Sequence, residues 1–164
     1  MKLATFTESG RTRVGVVLGD EIADLSTADG VPDEMVALLE AGPDGLAAAE
    51  RAAKNAPRLA LASVHLESPI LRPPKILAIG LNYADHIAES GQETPKLPVV
   101  FNKQSTSVAG PTDPFHMPRA STALDYEGEL GVVIGRRCRH VPKERAAEVI
   151  AGYTVVNDVT VRDW

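Results

Sequence analysis

The chain has 164 residues, of which 44% are hydrophobic and 24% are charged, and its formal net charge is −5. This composition is typical of a globular protein with its own core, and the acidic balance without a run of Lys and Arg excludes an electrostatic nucleic-acid surface. No apolar stretch approaches the roughly 20 residues that span a bilayer. The first residues lack the pattern of a secretory signal, and the single cysteine, Cys138, excludes an internal disulfide or a cysteine-based metal site. We therefore expect a cytoplasmic protein with no nucleic-acid or membrane partner.

The first 68 residues predict a small αβ accessory domain. Two short β-like runs, Lys2–Thr7 and Arg13–Leu18, flank a Glu-Ser-Gly turn, which predicts a β-hairpin. Two helices are predicted after it, at Pro32–Glu40 and at the alanine-rich Gly45–Asn55. This part of the chain has no cluster of residues that could carry chemistry.

A proline-rich segment, Ser68–Pro74, predicts an extended linker and sets the start of a second domain, residues 69–164. The elements predicted in this domain, apart from the acidic strand described next, are strands at Lys75–Ile79, Val99–Phe101 and Tyr153–Val161 and a helix at Pro142–Ile150. The last residues carry no stop or cap signal, so we expect the chain to be the front part of a longer one.

One predicted strand, Leu124–Ile134, carries three carboxylates on one face. Because side chains alternate along a strand, Asp125, Glu127 and Glu129 point the same way. The strand then runs into Val132–Ile134, which is apolar on both faces and predicts burial on both sides. Neighbouring carboxylates in a partly dry sheet repel each other unless a cation lies between them. Two interpretations stay open: a metal site, or an acidic face exposed to solvent.

Asp158 is the candidate third carboxylate. It lies in the largely apolar stretch Val155–Thr160, where an unpaired charge would be costly. Together, Glu127, Glu129 and Asp158 offer only oxygen donors, which suit Mg²⁺, Mn²⁺ or Ca²⁺. Arg162 shares a face with Asp158, so a plain Asp–Arg ion pair is the alternative to a metal ligand.

A second candidate cluster lies in the segment Gly80–Gly91. If Tyr83–Ser90 is helical, His86 and Glu89 lie at i and i+3, where the carboxylate could orient the imidazole as a general base. The alternative is a surface His–Glu pair on a short helix. Lys103 follows an apolar strand end, where binding residues are often found, and its alternative is an exposed lysine.

Other chemical signals are weaker. No P-loop, dinucleotide glycine fingerprint or Gly-x-Ser-x-Gly elbow occurs in the sequence. Three arginines flank Cys138, which leaves either an activated thiol or an incidental cysteine.

Four ordered segments resemble the fumarylacetoacetate hydrolase family. They are Lys75–His86, Pro98–Lys103, Asp125–Leu130 and Gly152–Asp163. The resemblance covers residues 69–164, and residues 1–68 are similar to the variable N-terminal domain of some members. It implies an α+β fold whose catalytic domain is a mixed β-roll, and a homodimer. Family members continue past the Arg-Asp motif with a glutamine, a lysine and a Thr-Gly-Thr-Pro segment, none of which occurs in this sequence.

The resemblance also implies roles for single residues. The implied ligands of Mg²⁺ or Mn²⁺ are Glu127, Glu129 and Asp158. The residues implied to activate water are His86 and Glu89, and those implied to lie around the substrate are Lys103 and Arg162. The substrate would be a small anionic 2-oxo or 2,4-dioxo acid.

The leading hypothesis is a metal-dependent hydrolase that cleaves a carbon–carbon bond in a 2,4-dioxo acid, such as an acylpyruvate or fumarylpyruvate. The cation would stabilise the pyruvate enolate that is left when the bond breaks. A decarboxylase or isomerase of a related 2-oxo acid, such as oxaloacetate or a 2-hydroxymuconate derivative, needs the same enolate and stays open. A rival of a different class is a non-catalytic fragment or binding module.

Overall fold

The computed structural model describes all residues from Met1 to Trp164 and has the α+β fold that the sequence predicts. We call residues 1–68 the front region and residues 69–164 the rear region. The strands of the front region are β1 (Leu3–Glu8), β2 (Arg11–Leu18), β3 (Glu21–Asp24), β4 (Arg58–Ala60) and β5 (His65–Leu66), and its helices are α1 (Met35–Glu40) and α2 (Gly42–Ala52). The strands form one antiparallel sheet in the order β4-β3-β2-β1-β5.

The predicted first hairpin is confirmed. β1 and β2 pair up to Glu8 opposite Arg11, and the two residues between them, Ser9 and Gly10, have positive φ angles of 51° and 74°. Left-handed backbone at both central residues is the geometry of two-residue hairpin turns that match the twist of the strands. The turn therefore fixes the register of the two central strands of the front sheet.

A closed core lies between the front sheet and its helices. The eight side chains of this cluster are at most 5% exposed, and they are Val14, Val16, Ala23, Leu25, Met35, Leu38, Ala49 and Ala53. Full burial of a large apolar side chain contributes about 1.5–3 kcal/mol to folding. This cluster therefore supplies the main driving force for folding of the front region.

Both helices of the front region are confirmed, with ends that differ from those predicted. α1 begins only at Met35 because Glu34 is extended and caps the helix, its carboxylate accepting the Ala37 N–H at 2.9 Å. α2 begins earlier than predicted, at Gly42, because Pro43 in the first turn presets the helical φ angle and has no N–H that needs a partner.

The rear region consists of antiparallel two-stranded ribbons and one short helix. Its elements are β6 (Ile76–Gly80), α3 (Ala84–Ser90), β7 (Val99–Lys103), β8 (Leu124–Asp125), β9 (Gly128–Ile134), β10 (Ile150–Asn157) and β11 (Thr160–Val161). The pairs are β6 with β7, β8 with β11, and β9 with β10. No helix of the protein is both long and apolar enough to cross a membrane.

Three predicted elements of the rear region are corrected. The strand predicted over Leu124–Ile134 is interrupted after Asp125, and the strand predicted over Tyr153–Val161 is interrupted after Asn157. The two interruptions face each other, since the Asp158 N–H donates to the Glu127 carbonyl at 2.8 Å. The helix predicted at Pro142–Ile150 is a 3₁₀ segment, because Val149 alone is buried there and a short segment without an apolar face does not hold an α-helix.

The predicted burial of Val132–Ile134 on both faces is wrong. Val132 is 48% exposed and Ile134 is 56% exposed, because β9 pairs with β10 and no second layer covers this face. The same holds for much of the apolar surface of the rear ribbons, including Leu77, Val100 and Val155. In contrast to the front region, the rear region has no closed apolar core.

A tight contact joins the two regions. Gly110 lies so close to β5 that a Cβ atom on it would sit 2.6 Å from the Leu66 carbonyl oxygen, which is why glycine is required there. Beside it, His65 Nε2 lies 3.2 Å from Asp113 Oδ1, and Asp113 also accepts the Gly110 N–H at 2.6 Å. These contacts hold the Gly110–Asp113 turn of the rear region against the last strand of the front sheet.

Candidate functional site

The candidate site is built where the two strand interruptions meet. Glu127 immediately precedes β9 and Asp158 immediately follows β10, and the register pairs Gly128 with Asn157 between them. The hydrogen bond from the Asp158 N–H to the Glu127 carbonyl continues this pairing by one more residue. Glu129 follows two residues along and is, like Glu127, partly covered. The structure thus brings the backbones of the three predicted metal ligands together at one end of the β9–β10 ribbon.

Two cations pair with these carboxylates. Lys103, at the end of β7, pairs through its Nζ with Asp158 Oδ1, and both side chains are largely covered. Arg162 bridges two carboxylates: its Nε lies 2.9 Å from Asp125 Oδ2, and its Nη2 donates to Glu127 Oε1. Each of the two predicted substrate-binding residues, Lys103 and Arg162, therefore contacts a predicted metal ligand.

The alternative prediction of an Asp158–Arg162 ion pair is wrong. β11 pairs with β8, Thr160 opposite Asp125, so Arg162 is carried toward the start of the acidic segment. Asp158 is left to Lys103, which arrives from a different ribbon. Sequence proximity favoured the wrong partner because the pairing of β11 with β8 places Arg162 beside Asp125 and Glu127.

Asp125, which the sequence places on the acidic face but not among the predicted site residues, also belongs to the cluster. The hydrogen bond from Arg162 holds the pKa of the Asp125 carboxyl below its usual value, and the Tyr126 N–H and the charge of His86 act in the same direction. The hydrogen bonds that Arg162 donates to the Glu127 and Asp125 carboxylates in turn raise the pKa of Arg162. The signal that could have found Asp125 is its same-face spacing with Glu127, which the sequence already shows.

The Arg162 segment is fixed by contacts on both sides of the bridge. The Arg162 N–H donates to the Ala123 carbonyl at 2.9 Å, which extends the β8–β11 pairing. Ser121, which is buried, donates its hydroxyl to Asp163 Oδ1 at 2.5 Å and accepts the Ala123 N–H at 2.9 Å. The arginine that bridges the carboxylates is therefore held by its backbone as well as by its side chain.

The second predicted cluster lies on α3, as the sequence predicts. His86 and Glu89 are both on this helix and neither is buried, but no hydrogen bond or ion pair joins them. His86 lies close enough to Asp125 for its charge to lower the pKa of that carboxyl. The role of the His86–Glu89 pair in activating water stays a prediction.

The donor set fits a hard divalent cation by its chemistry. Glu127, Glu129 and Asp158 offer carboxylate oxygens, the ligands that Mg²⁺ and Mn²⁺ prefer. Their side chains are not closed into a cage, since no group of three His, Cys, Asp or Glu residues is arranged as metal ligands. Two of the three are instead turned toward Lys103 and Arg162. Cys138 is exposed and lies outside this cluster.

Comparison with known proteins identifies the family. Residues 75–164, more than half of the chain, match the family profile of the fumarylacetoacetate (FAA) hydrolase C-terminal domain. The chain belongs to the fumarylacetoacetate hydrolase family. The mitochondrial oxaloacetate tautomerase of Xenopus laevis is 39% identical over 170 residues, a match that covers 100% of this chain and 53% of the tautomerase.

Solved structures of the fumarylacetoacetate hydrolase family have the same fold. Maleylpyruvate hydrolase from Sphingobium sp. SYK-6, in complex with manganese(II) and pyruvate, superposes with a TM-score of 0.83 at 34% identity, covering 100% of this chain and 60% of that one. A 5-carboxymethyl-2-hydroxymuconate delta-isomerase from Mycobacterium smegmatis superposes with a TM-score of 0.71 at 32% identity, covering 99% and 56%. These matches confirm the predicted fold and family, and this chain spans about half of the length of such relatives.

Proposed function

We propose that the chain is part of a metal-dependent hydrolase that cleaves a carbon–carbon bond in a small 2,4-dioxo acid. The observation that carries the proposal is the cluster at the end of the β9–β10 ribbon. There, carboxylates suited to a divalent cation lie beside a lysine and an arginine suited to the anionic ends of such an acid. The maleylpyruvate hydrolase with bound manganese(II) and pyruvate supports the same substrate class.

The metal ligands in this proposal are Glu127, Glu129 and Asp158. When bound there, Mg²⁺ or Mn²⁺ would polarise the 2-oxo group of the substrate and stabilise negative charge that develops on its oxygen. To bind a metal ion, Glu127 would either share its carboxylate oxygens between the ion and Arg162 or turn away from Arg162. Asp158 would do the same with respect to Lys103. A carboxylate has two oxygens and about four lone-pair sites, so it can serve a cation and a hydrogen-bond donor together.

Lys103 and Arg162 bind the substrate's anionic ends in this proposal. Arg162 uses Nε and Nη2 for its two carboxylates, which leaves Nη1 for a substrate carboxylate. Lys103 has three donor hydrogens and engages one carboxylate. Both side chains are held before substrate arrives, which reduces the ordering cost of binding.

His86 acts as the general base in this proposal, and Glu89, three residues further along α3, would orient its ring once the two side chains pair. The imidazole takes a proton from water, the resulting hydroxide adds to the distal carbonyl carbon, and the carbon–carbon bond breaks with its electron pair on the pyruvate side. A proton then returns to that carbon, so that an acid and pyruvate leave. The hydrogen bond from Arg162 lowers the pKa of Asp125, so this carboxyl does not serve as the proton acceptor in this step.

An isomerase is the second candidate. The 39% identity to an oxaloacetate tautomerase favours it, because keto–enol exchange uses the same cluster and the same base but needs no attacking water. In that reaction His86 transfers a proton to the carbon while the enol oxygen loses its proton to solvent, or the reverse, and no carbon–carbon bond breaks. The third alternative, a binding module without catalysis, predicts metal and 2-oxo acid binding without turnover.

Product analysis separates these functions. We expect the protein with Mg²⁺ or Mn²⁺ to release pyruvate from an acylpyruvate, and His86→Ala to lower turnover by about 10²–10⁴-fold, the range of general-base loss. His116→Ala, a change at an exposed histidine outside the cluster, is the matched control and should keep full turnover. Faster enol–keto exchange of oxaloacetate without pyruvate release would replace the hydrolase by the tautomerase. Absence of both reactions with intact 2-oxo acid binding would leave the binding module.

A further inference from the structure

Tyr83 makes a contact that the proposed chemistry does not use. It is the residue immediately before α3, and its backbone is extended, with φ −114° and ψ 128°. Its side chain makes no capping bond to the helix. Instead, its hydroxyl oxygen accepts the N–H of Leu130 on β9 at 3.0 Å, a contact between residues 47 positions apart in the chain.

The partner N–H lies on the open edge of the acidic strand. Leu130 stands opposite Val155 in the β9–β10 ribbon, but its N–H is directed to Tyr83 and not across to β10. β9 has no other strand neighbour, so the tyrosine satisfies a donor that would otherwise face solvent. Leu130 directly follows Glu129, a proposed metal ligand.

The helix that follows Tyr83 has little else to hold it. α3 has seven residues, none of them buried, and an isolated helix of this length is not stable in water. Left-handed backbone bounds the segment at Leu81 and at the helix end, Gly91. The hydrogen bond between this segment and the acidic strand is made by the Tyr83 side chain.

We infer that Tyr83 is a positioning residue that ties α3 to the acidic strand and so sets the place of His86 relative to the carboxylates. The role of His86 in this inference rests on the proposed function. The tie, by which we mean the hydrogen bond from the Leu130 N–H to the Tyr83 hydroxyl, does not. The tyrosine hydroxyl touches neither substrate nor ion in this account. It acts through the helix that carries the base, since a misplacement of about 1 Å can cost a reaction about 10²-fold.

Tyr83→Phe removes the hydroxyl and keeps the ring, and Tyr153→Phe is the matched control because Tyr153 is exposed and its hydroxyl makes no hydrogen bond. We expect Tyr83→Phe to speed hydrogen exchange of the Leu130 amide by about 3- to 10-fold, the value of one hydrogen bond. The ring resonances of His86 in proton–nitrogen spectra should shift in this variant, while Mn²⁺ affinity should stay as in the wild type. Where the wild type turns over substrate, kcat should fall about 10-fold with KM little changed, because the substrate-binding cations are not moved. Tyr153→Phe should leave all of these quantities unchanged.

Three results would overturn the inference. Unchanged Leu130 exchange would mean that the tie does not form. Unchanged His86 resonances beside faster Leu130 exchange would make Tyr83 a local contact without a positioning role. A kcat of Tyr83→Phe equal to that of the wild type would mean that Tyr83 does not position His86 for the reaction. Because exchange and resonances are read on the protein without substrate, a wild type that lacks activity would defeat the proposed function and still leave the tie tested.

Discussion

Each region of the molecule contains one arginine that bridges two carboxylates, and the two bridges differ in burial. In the front region Arg13 donates to Asp24 at 2.7 Å and to Glu8 at 2.9 Å, and its side chain is 7% exposed. In the rear region Arg162 bridges Asp125 and Glu127 with a side chain that is 44% exposed. The same chemical motif therefore occurs once with a buried arginine and once with an exposed arginine.

The difference in burial gives the two bridges different roles. A buried bridge cannot lose one partner cheaply, because the remaining charge is left unpaired in a dry environment. An exposed bridge contributes little to stability, since water and ions compete with it, and for the same reason its groups can exchange partners. The front bridge is structural, whereas the rear bridge is free to meet a cation or an anionic ligand.

The apolar side chains follow the same division. Those of the front region close into a core between sheet and helices, whereas those of the rear ribbons remain largely exposed. Large exposed apolar surfaces are typical of sites that bind another protein, a membrane or a ligand. The closed core of the front region and the open surface of the rear region therefore predict different sensitivities to substitution.

The largest effect is expected from Leu38, which is fully buried in the front core. Leu38→Ala should lower the free energy of unfolding by about 2–5 kcal/mol, through lost burial and the cavity left behind. The matched change in the rear region, Leu130→Ala, removes a side chain that is 62% exposed and should alter stability by no more than about 0.5 kcal/mol. Urea unfolding measures both. Equal losses would mean that the rear ribbons are as closely packed in solution as the front core.

The next effect is expected from the buried bridge. Asp24→Asn should lower stability by about 1.5–3 kcal/mol, because it removes the charge that Arg13 pairs with inside the front region. The corresponding change at the exposed bridge, Asp125→Asn, should leave the unfolding midpoint nearly unchanged. A loss of similar size in both variants would contradict the difference in roles.

Acid titration sharpens the same contrast. Burial by itself raises the pKa of Asp24, but the hydrogen bonds from Ser26 and Arg13 outweigh it and hold the value below the usual 3.8. A carboxyl with a lowered pKa in the folded state stabilises the fold above its unfolded pKa, and this stabilisation is lost as the pH falls through the folded value. Unfolding free energy should therefore fall below about pH 4 in the wild type, and fall less in Asp24→Asn. Parallel curves for the two proteins would remove Asp24 from the acid response.

The smallest effect is expected from Lys103, whose ammonium group pairs with Asp158 and would compete with a metal ion for that carboxylate. Lys103→Met leaves Asp158 without its partner, so Mn²⁺ affinity should rise by about 2- to 5-fold, the size of one partly exposed ion pair. Lys96→Met, at an exposed lysine outside the cluster, should leave the affinity unchanged. Calorimetric titration reads both variants. Weaker binding in Lys103→Met would mean that the lysine supports the metal site and does not compete with it.

Local patterns in the sequence predict much of this fold. The hairpin at Ser9 and Gly10, the two front helices and the strands Ile76–Gly80 and Val99–Lys103 follow from turn residues and apolar runs. The strands β3, β4 and β5 are not predicted, because a strand of two to four residues is too short to show the alternation of apolar and polar residues. Their place in the sheet is decided by tertiary pairing, which no local pattern contains.

The candidate site is predictable in its residues more than in its contacts. The acidic residues and the cations follow from spacing and from the family motifs, but the partners Lys103–Asp158 and Arg162–Asp125 depend on ribbons that are far apart in sequence. At the breaks after Asp125 and Asn157 the pairing changes, since β8 pairs with β11 whereas β9 pairs with β10. Long-range geometry of this kind requires the folded chain.

Calorimetric titration of Mn²⁺ into the wild type, Glu127→Gln and Glu148→Gln tests most directly whether Glu127, Glu129 and Asp158 hold a divalent cation. Glu148 is the matched control because it is an exposed carboxylate that also pairs with an arginine, Arg145, at 2.8 Å. We expect binding of one ion to the wild type and to Glu148→Gln, and at least about 10-fold weaker binding to Glu127→Gln, because one of three charged ligands is removed. Equal binding by all three proteins, or no binding by the wild type, would contradict this expectation.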